Sequence, residues 1–262
     1  MFAQDYPYCS PRFVAMAHRG GSYWEPNLGK ENTLFAFSQA VSLGYRYIET
    51  DVQATRDARL VCMHDETLER VAHVAGRVAD YTAAELSQIT LISGEPIPFF
   101  DDVVEALPQT RFNVDLKVEG AIVPLVKAIM AHRLHNRILV DSFSQARLSR
   151  FRSLTHGQIP TAMAPPGVAW TAFVPLASAI VSSPGVAVQV PRTQKIGVLT
   201  VPVVTRGMIA RVHALGKVIH VWTVDEVDDM EQLIDLGVDG IITDRPDRLA
   251  RVLAGRDLWE TQ

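Results

Sequence analysis

The chain is poor in cysteine, in long apolar runs and in clustered positive charge, and each shortage removes a class of protein. Cys9 and Cys62 are its only cysteines. Without CxxC or zinc-type spacing they form neither a disulfide framework nor a metal knuckle, and they read as free thiols in a reducing compartment. No stretch reaches the roughly 18 uninterrupted apolar residues that a membrane-spanning helix needs. The opening MFAQDYPYCSPRF has neither a basic start nor an apolar core, so it is not read as a signal peptide, and a cytoplasmic address is expected. Net charge is −4 and the arginines are scattered. Nucleic-acid partners are therefore not expected, because they call for a basic face. What remains is ordinary: 48% hydrophobic and 21% charged residues over 262 positions, the balance of a soluble globular chain long enough for one barrel.

Short β-rich runs alternate with stretches of helical spacing. Strands are expected at Phe13–Ala17, Tyr47–Val52, Phe112–Lys117, Ile138–Asp141, Pro160–Met163, Val186–Val190, Val218–Trp222 and Gly240–Thr243. Helices are expected over Thr33–Leu43, Val123–His132, Val204–Leu215 and Val227–Leu236, the last two ending at Gly216 and Gly237 just before a strand. Eight strands with helical crossovers predict an α/β fold, a (β/α)8 TIM barrel formed as one domain over residues 1–262. The region 160–204, rich in Pro and Gly, carries the weakest signals. The connection from Gln53 to Phe112 is longer than a crossover needs, so a small insertion at about 53–99 is expected between the second and third barrel strands. A hairpin near Asp57–Ala58 would set His64 across from Asp51.

A barrel of this kind carries its functional groups at the C-terminal ends of its strands. Glu49 and Asp51, at i and i+2, share one face of a strand, and Asp115 faces the same way from the next. Three carboxylates without thiolates suit one hard divalent cation, Mg²⁺ or Ca²⁺ with Mn²⁺ possible as a substitute; pairing with arginines is the competing account. Arg19 and Lys117 are placed at the mouth, to hold phosphate or to neutralise the acids. His18 and His64 at the rim fit paired acid and base work, with His220 the main competitor. Glu31 and Asn32 support the site or, with Thr33, cap the following helix. Trp222 is either a wall for a substrate group or core.

Read together, AHRGG, ENTLFAF, GYRYIETDVQATRDARLVCMHDETLERV, NVDLK, DSF and VIHVWTVDEVDDMEQLIDLGVDGIITDRPD resemble the glycerophosphodiester phosphodiesterase family, in order, from residue 15 to about 247. The resemblance implies a metal-dependent enzyme that cleaves glycerophosphodiesters such as glycerophosphocholine to sn-glycerol 3-phosphate and an alcohol; the chemistry of the paired histidines adds the expectation of a cyclic phosphate intermediate. It implies His18 and His64 as the acid–base pair and Glu49, Asp51 and Asp115 as metal ligands. Arg19 and Lys117 would contact phosphate, Glu31 and Asn32 support the metal end, and Trp222 line the substrate pocket. Two departures stand out: Asp115 replaces the family's usual glutamate, and the loop Gly21–Lys30 is longer, with Tyr23, Trp24 and Lys30 placed to narrow the pocket. The alternatives are a phospholipase D-like enzyme acting on lysophospholipids or sphingolipids, with Tyr23, Trp24, Phe99 and Phe100 as its apolar face, and, more remotely, a non-catalytic barrel that binds a phosphate ligand.

Overall fold

The β-branched runs become the strands of one curled sheet. In the computed structural model, which describes residues 2–173, 184–197 and 199–259, the strands are β1 (Val14–His18), β2 (Tyr47–Ala54), β3 (Leu60–Cys62), β4 (Arg111–Leu116), β5 (Ile138–Asp141), β6 (Ala187–Pro191), β7 (Thr193–Ile196), β8 (Leu199–Pro202), β9 (Val218–Trp222) and β10 (Gly240–Thr243). Seven of them run parallel in the order β5-β4-β2-β1-β10-β9-β6. The first and last strands of the chain are therefore neighbours, with Val14 opposite Gly240 and Ala17 opposite Thr243. Every residue of β2 is buried, as expected for a parallel strand covered on both faces.

The helices α1 (Leu34–Ser42), α2 (Glu69–Ala72), α3 (Ala83–Leu86), α4 (Phe100–Ala106), α5 (Ile122–Ala131), α6 (Gln145–Leu154), α7 (Pro165–Phe173), α8 (Arg206–Ala214), α9 (Val227–Leu236) and α10 (Pro246–Ala254) supply the crossovers and the outer layer. Thr33 caps α1 by accepting the Ala36 amide at 3.1 Å, and Gly237 ends α9 in the left-handed conformation. Two large apolar clusters fill the space between sheet and helices, one around Phe37, Phe112 and Phe151, the other around Met208, Ile219 and Leu249. A third lies inside the curl, where Met16, Tyr47, Leu139 and Ile242 meet Tyr8 from the N-terminal segment. Tyr47 stands edge-on to Tyr8 at 5.1 Å and donates its hydroxyl proton to the Tyr8 carbonyl.

The expected strand at Pro160–Met163 is reduced to two parallel bridges, Thr161 to Val140 and Ala162 to Ala187. Pro160 has no N–H to give a ladder, and Pro165 already opens α7. The segment nevertheless lies between β5 and β6, the two ends of the curl. The hairpin β7–β8 lies outside this sheet and was not expected; its residues fall in the Pro- and Gly-rich stretch where patterning was weakest.

Between β2 and β4 the chain turns at residues 56–58, with Ala58 at φ +61°, and returns as β3 antiparallel to β2. It then builds a small core of its own around Val61, Leu68, Leu86 and Ile97. No helix among the described residues is long and apolar enough to cross a membrane.

Candidate active site

The strand register sets acids in rows at the C-terminal end of the sheet. Asp51 of β2, Asp115 of β4 and Asp141 of β5 are direct neighbours, and Glu49 stands one step below Asp51, opposite Asn113. Adjacent strands are about 4.8 Å apart, so the row is strongly self-repelling unless cations compensate it. Lys117 provides that compensation: its ammonium donates to Asp115 at 2.7 Å and lies 2.9 Å from Asp51. Arg19 adds a second cation, its Nε 3.3 Å from Asp51 and its terminal nitrogen donating to Glu31 at 3.2 Å.

The electrostatic consequences differ along the row. Burial raises the Asp51 pKa, but Lys117 and Arg19 outweigh it and hold the group below its ordinary value. Burial keeps Asp115 raised in spite of Lys117. Asp141, its carboxyl desolvated and facing the Asp115 charge, is pushed up to about 7, and Glu49, buried beside Asp51, to about 8. Lys117 is held up at about 12; burial works against its charge, and Asp51 and Asp115 more than offset that.

Two histidines reach the same cleft from different directions. His18 ends β1; its Nδ1 donates to Asp244, just past β10, at 2.9 Å, and its Nε2 lies 3.8 Å from Glu49. Asp244 also accepts the Ser22 hydroxyl, and its own amide donates to Asp225 at 2.8 Å. Burial disfavours the imidazolium, but the Glu49 charge and the Asp244 hydrogen bond prevail and raise the His18 pKa. His64 follows β3, one residue beyond the expected position: Met63 donates its amide to the Asp51 carbonyl, and Gln53 reaches the His64 carbonyl at 3.1 Å. Past the end of β3, Met63 packs into the small core while His64 lines the cleft. The His64 Nδ1 donates to Asp65 at 2.7 Å.

One cleft of about 560 Å³ is lined by His18, Arg19, Glu49, Asp51, His64, Asp115, Lys117 and Trp222, with Asn113, Asp141, Phe143, Gln189 and Ile242 completing its wall. Glu31 stays behind Arg19, both of its oxygens taken by arginine. Asn32 does not cap α1. It donates to Asp51 at 2.9 Å and accepts from Thr50 at 2.7 Å. Arg19 and Asn32 both stand at positive φ, +50° and +57°, backbone strain of the kind that concentrates at functional sites.

Two readings of the sequence are corrected. Phe100 is fully buried against Phe112 and Phe99 packs under Arg59, so neither forms an apolar face at the mouth. Tyr23 is 63% exposed, and Tyr23, Trp24 and Lys30 are absent from the cleft wall; Lys30 lies over Phe35 and near Glu95. The long loop acts instead through Ser22, which holds Asp244, and through buried Asn27, which donates to the Gly20 carbonyl. His220 is wholly buried and linked to Gln189, which in turn pairs with Asn113.

Burial presses the His220 pKa down to about 4. Because the folded form holds its proton less tightly than the unfolded chain, stability should fall as pH drops from about 6.5 toward 4, by up to about 3 kcal/mol. A His220→Gln variant should show a flatter denaturation midpoint across that window; an unchanged slope would remove His220 as the cause.

Residue patterning missed Asp244, Asp65, Arg70 and Gln189. Asp244 is 226 residues from His18, and the pairing of β1 with β10 brings the two together.

The cleft thus joins carboxylates, two acid-anchored imidazoles and two cations at the C-terminal end of a parallel sheet. The chain belongs to the glycerophosphoryl diester phosphodiesterase family, whose sequence profile matches residues 18–248. It is 39% identical over 252 residues to the "Probable glycerophosphodiester phosphodiesterase 2" of Mycobacterium tuberculosis, covering 94% of this chain and 93% of that one. It is 31% identical over 265 residues to the glycerophosphodiester phosphodiesterase of Caldanaerobacter subterraneus, covering 92% and 97%. The fold is similar to that of an Oleispira antarctica phosphodiesterase in complex with the product sn-glycerol-3-phosphate, with a TM-score of 0.75, 21% identity and coverage of 92% and 96%.

Proposed function

We propose that the protein hydrolyses glycerophosphodiesters to sn-glycerol 3-phosphate and an alcohol, with His18 and His64 moving the protons. The observation that carries this reading is the single cleft shared by both imidazoles, Arg19, Lys117 and the acids. Asp244 and Asp65 are held ionised, both below the ordinary carboxylate value, so each accepts the Nδ1 proton of its histidine and leaves Nε2 to exchange protons. One imidazole takes the proton of the glycerol 2-hydroxyl as that oxygen forms a bond to phosphorus; the other protonates the departing alcohol as its P–O bond breaks. Water then attacks the cyclic phosphate with the roles reversed, and the bond from phosphorus to the 2-oxygen breaks. An intramolecular nucleophile makes a protein nucleophile unnecessary. Arg19 and Lys117 bind the nonbridging oxygens.

The acids also fit a divalent cation, Mg²⁺ or Ca²⁺ with Mn²⁺ as a substitute, although no ready-made group of His, Cys, Asp and Glu ligands stands among the described residues. The Asp115 Oδ1 is buried without a hydrogen-bond partner, and Glu49 is raised in the way expected of a carboxylate short of a counter-charge. Glu49, Asp51 and Asp115 would hold the ion, with Lys117 turned from them toward phosphate. When bound, the cation supplies Lewis-acid neutralisation of the phosphoryl oxygens. In the same reading the curl is a closed (β/α)8 barrel, with residues 160–163 as its eighth strand, and residues 53–99 are an insertion in a single domain that works in the cytoplasm.

A second reading concerns the leaving group. Beside the polar cleft, and sharing Asp141, Phe143, Gln189 and Trp222 with it, lies a cleft of about 850 Å³ walled by Met163, Val168, Val190 and Val203. Trp222 and Phe143, edge to face at 6.0 Å, stand at the junction. Such a wall favours a hydrocarbon-bearing substrate such as a lysophospholipid or sphingolipid.

The test is a panel of glycerophosphocholine, glycerophosphoethanolamine and lysophosphatidylcholine, each with Mg²⁺, Ca²⁺, Mn²⁺ or EDTA. Release of glycerol 3-phosphate from the first two, abolished by EDTA, is expected. Faster cleavage of the lysolipid would favour the second reading; full turnover in EDTA would remove the metal.

A further inference from the structure

We propose that Arg70 is a positioning residue for the reaction, holding His64 in place through Asp65 and locking its loop to the Arg19 segment through Glu31. This rests on the reading of His64 as a proton-transfer group. Residues 64–66 form a bend outside any strand or helix, so the ladder that fixes His18 at the end of β1 does not fix His64. Its backbone is held by Gln53 and its ring by Asp65. Asp65 is itself a half-buried loop side chain, and Arg70 of α2 holds its other oxygen through Nε. Both terminal nitrogens of Arg70 then donate to Glu31, at 2.9 and 2.7 Å, and Glu31 accepts from Arg19 at 3.2 Å. The series His64–Asp65–Arg70–Glu31–Arg19 joins two loops that no strand pairing connects.

The planar guanidinium explains the choice of residue. One side chain engages two carboxylates at fixed angles, Nε toward Asp65 and the fork toward Glu31, which a lysine ammonium cannot reproduce. Arg70 is half exposed, and ion pairs at such sites add little to stability. Direction is what it contributes: with Arg70 in place, Asp65 has one orientation and the His64 ring follows it. Without Arg70 the aspartate turns freely, and a proton-transfer group displaced by about 1 Å loses much of its rate.

The experiment measures glycerophosphocholine turnover with Mg²⁺ by the wild type, Arg70→Met, Asp65→Asn, His64→Gln and the double variants. Arg70→Met should lower kcat about tenfold with KM within about twofold of normal, because an aligned imidazole matters in the transition state rather than in substrate binding. Asp65→Asn should reproduce it, and the pair should be no worse than either alone, as expected of residues acting as one unit. Combined with His64→Gln, Arg70→Met should change kcat less than about twofold. A tenfold loss in both backgrounds would mark a general structural role and overturn the proposal, as would normal kcat in Arg70→Met. Normal turnover by His64→Gln would instead defeat the functional reading on which the proposal rests.

Discussion

Alanine at His18 or at His64 is expected to lower kcat for glycerophosphocholine by at least ~10²-fold, with a circular dichroism spectrum like that of the wild type. Both imidazoles are anchored by a carboxylate at Nδ1 and open on the same cleft, so neither can be replaced by its partner: one proton must be removed while another is delivered. The fold should tolerate each change. His18 lies at the end of its strand, and Asp244 keeps the Ser22 hydroxyl and the Arg19 charge nearby after the ring is gone. His64 belongs to no strand or helix. The double variant should be hardly worse than either single one. Turnover near normal in either variant would end the acid–base assignment.

Lys117→Met is expected to have the largest combined effect. Lys117 lies between Asp51 and Asp115, in a row that also holds Asp141. Removing one partner of a buried charge cluster typically costs about 3 kcal/mol or more. Turnover should drop at least ~10²-fold as a phosphate-neutralising group is lost. In EDTA the variant should melt well below the wild type, and Mg²⁺, Ca²⁺ or Mn²⁺ should restore most of the difference, since a cation among the same oxygens replaces the missing charge. A melting midpoint in EDTA equal to that of the wild type would show that Lys117 does not compensate the acids; a midpoint that no divalent ion raises would count against the metal site.

The sequence made the sheet legible in compact β-branched and aromatic runs such as YIETDV, VIHVWT and GIITD. There the strand ends named the acids, His18 and Trp222 together. It was less complete at Pro160–Met163, where the expected strand forms only two parallel bridges, and it missed the β7–β8 hairpin. The loop aromatics Tyr23 and Trp24 misled because a side chain's exposure depends on what packs above it, which spacing does not encode. Asp244 and Arg70 were invisible for a related reason. Each matters only through a partner far along the chain or across two loops, so a motif read in isolation gives it no role.

The adjacency of β1 and β10 also bears on how the enzyme comes into being. His18 is made well before its partners: the aspartate that orients it follows 226 positions later, and the strand that flanks it is equally distant. A nascent chain on the ribosome therefore has β1 with one edge unfilled until β10 has emerged, and contacts this distant form slowly. Catalytic competence should accordingly appear in one late step, with shortened translation products inert however well their middle segments have packed.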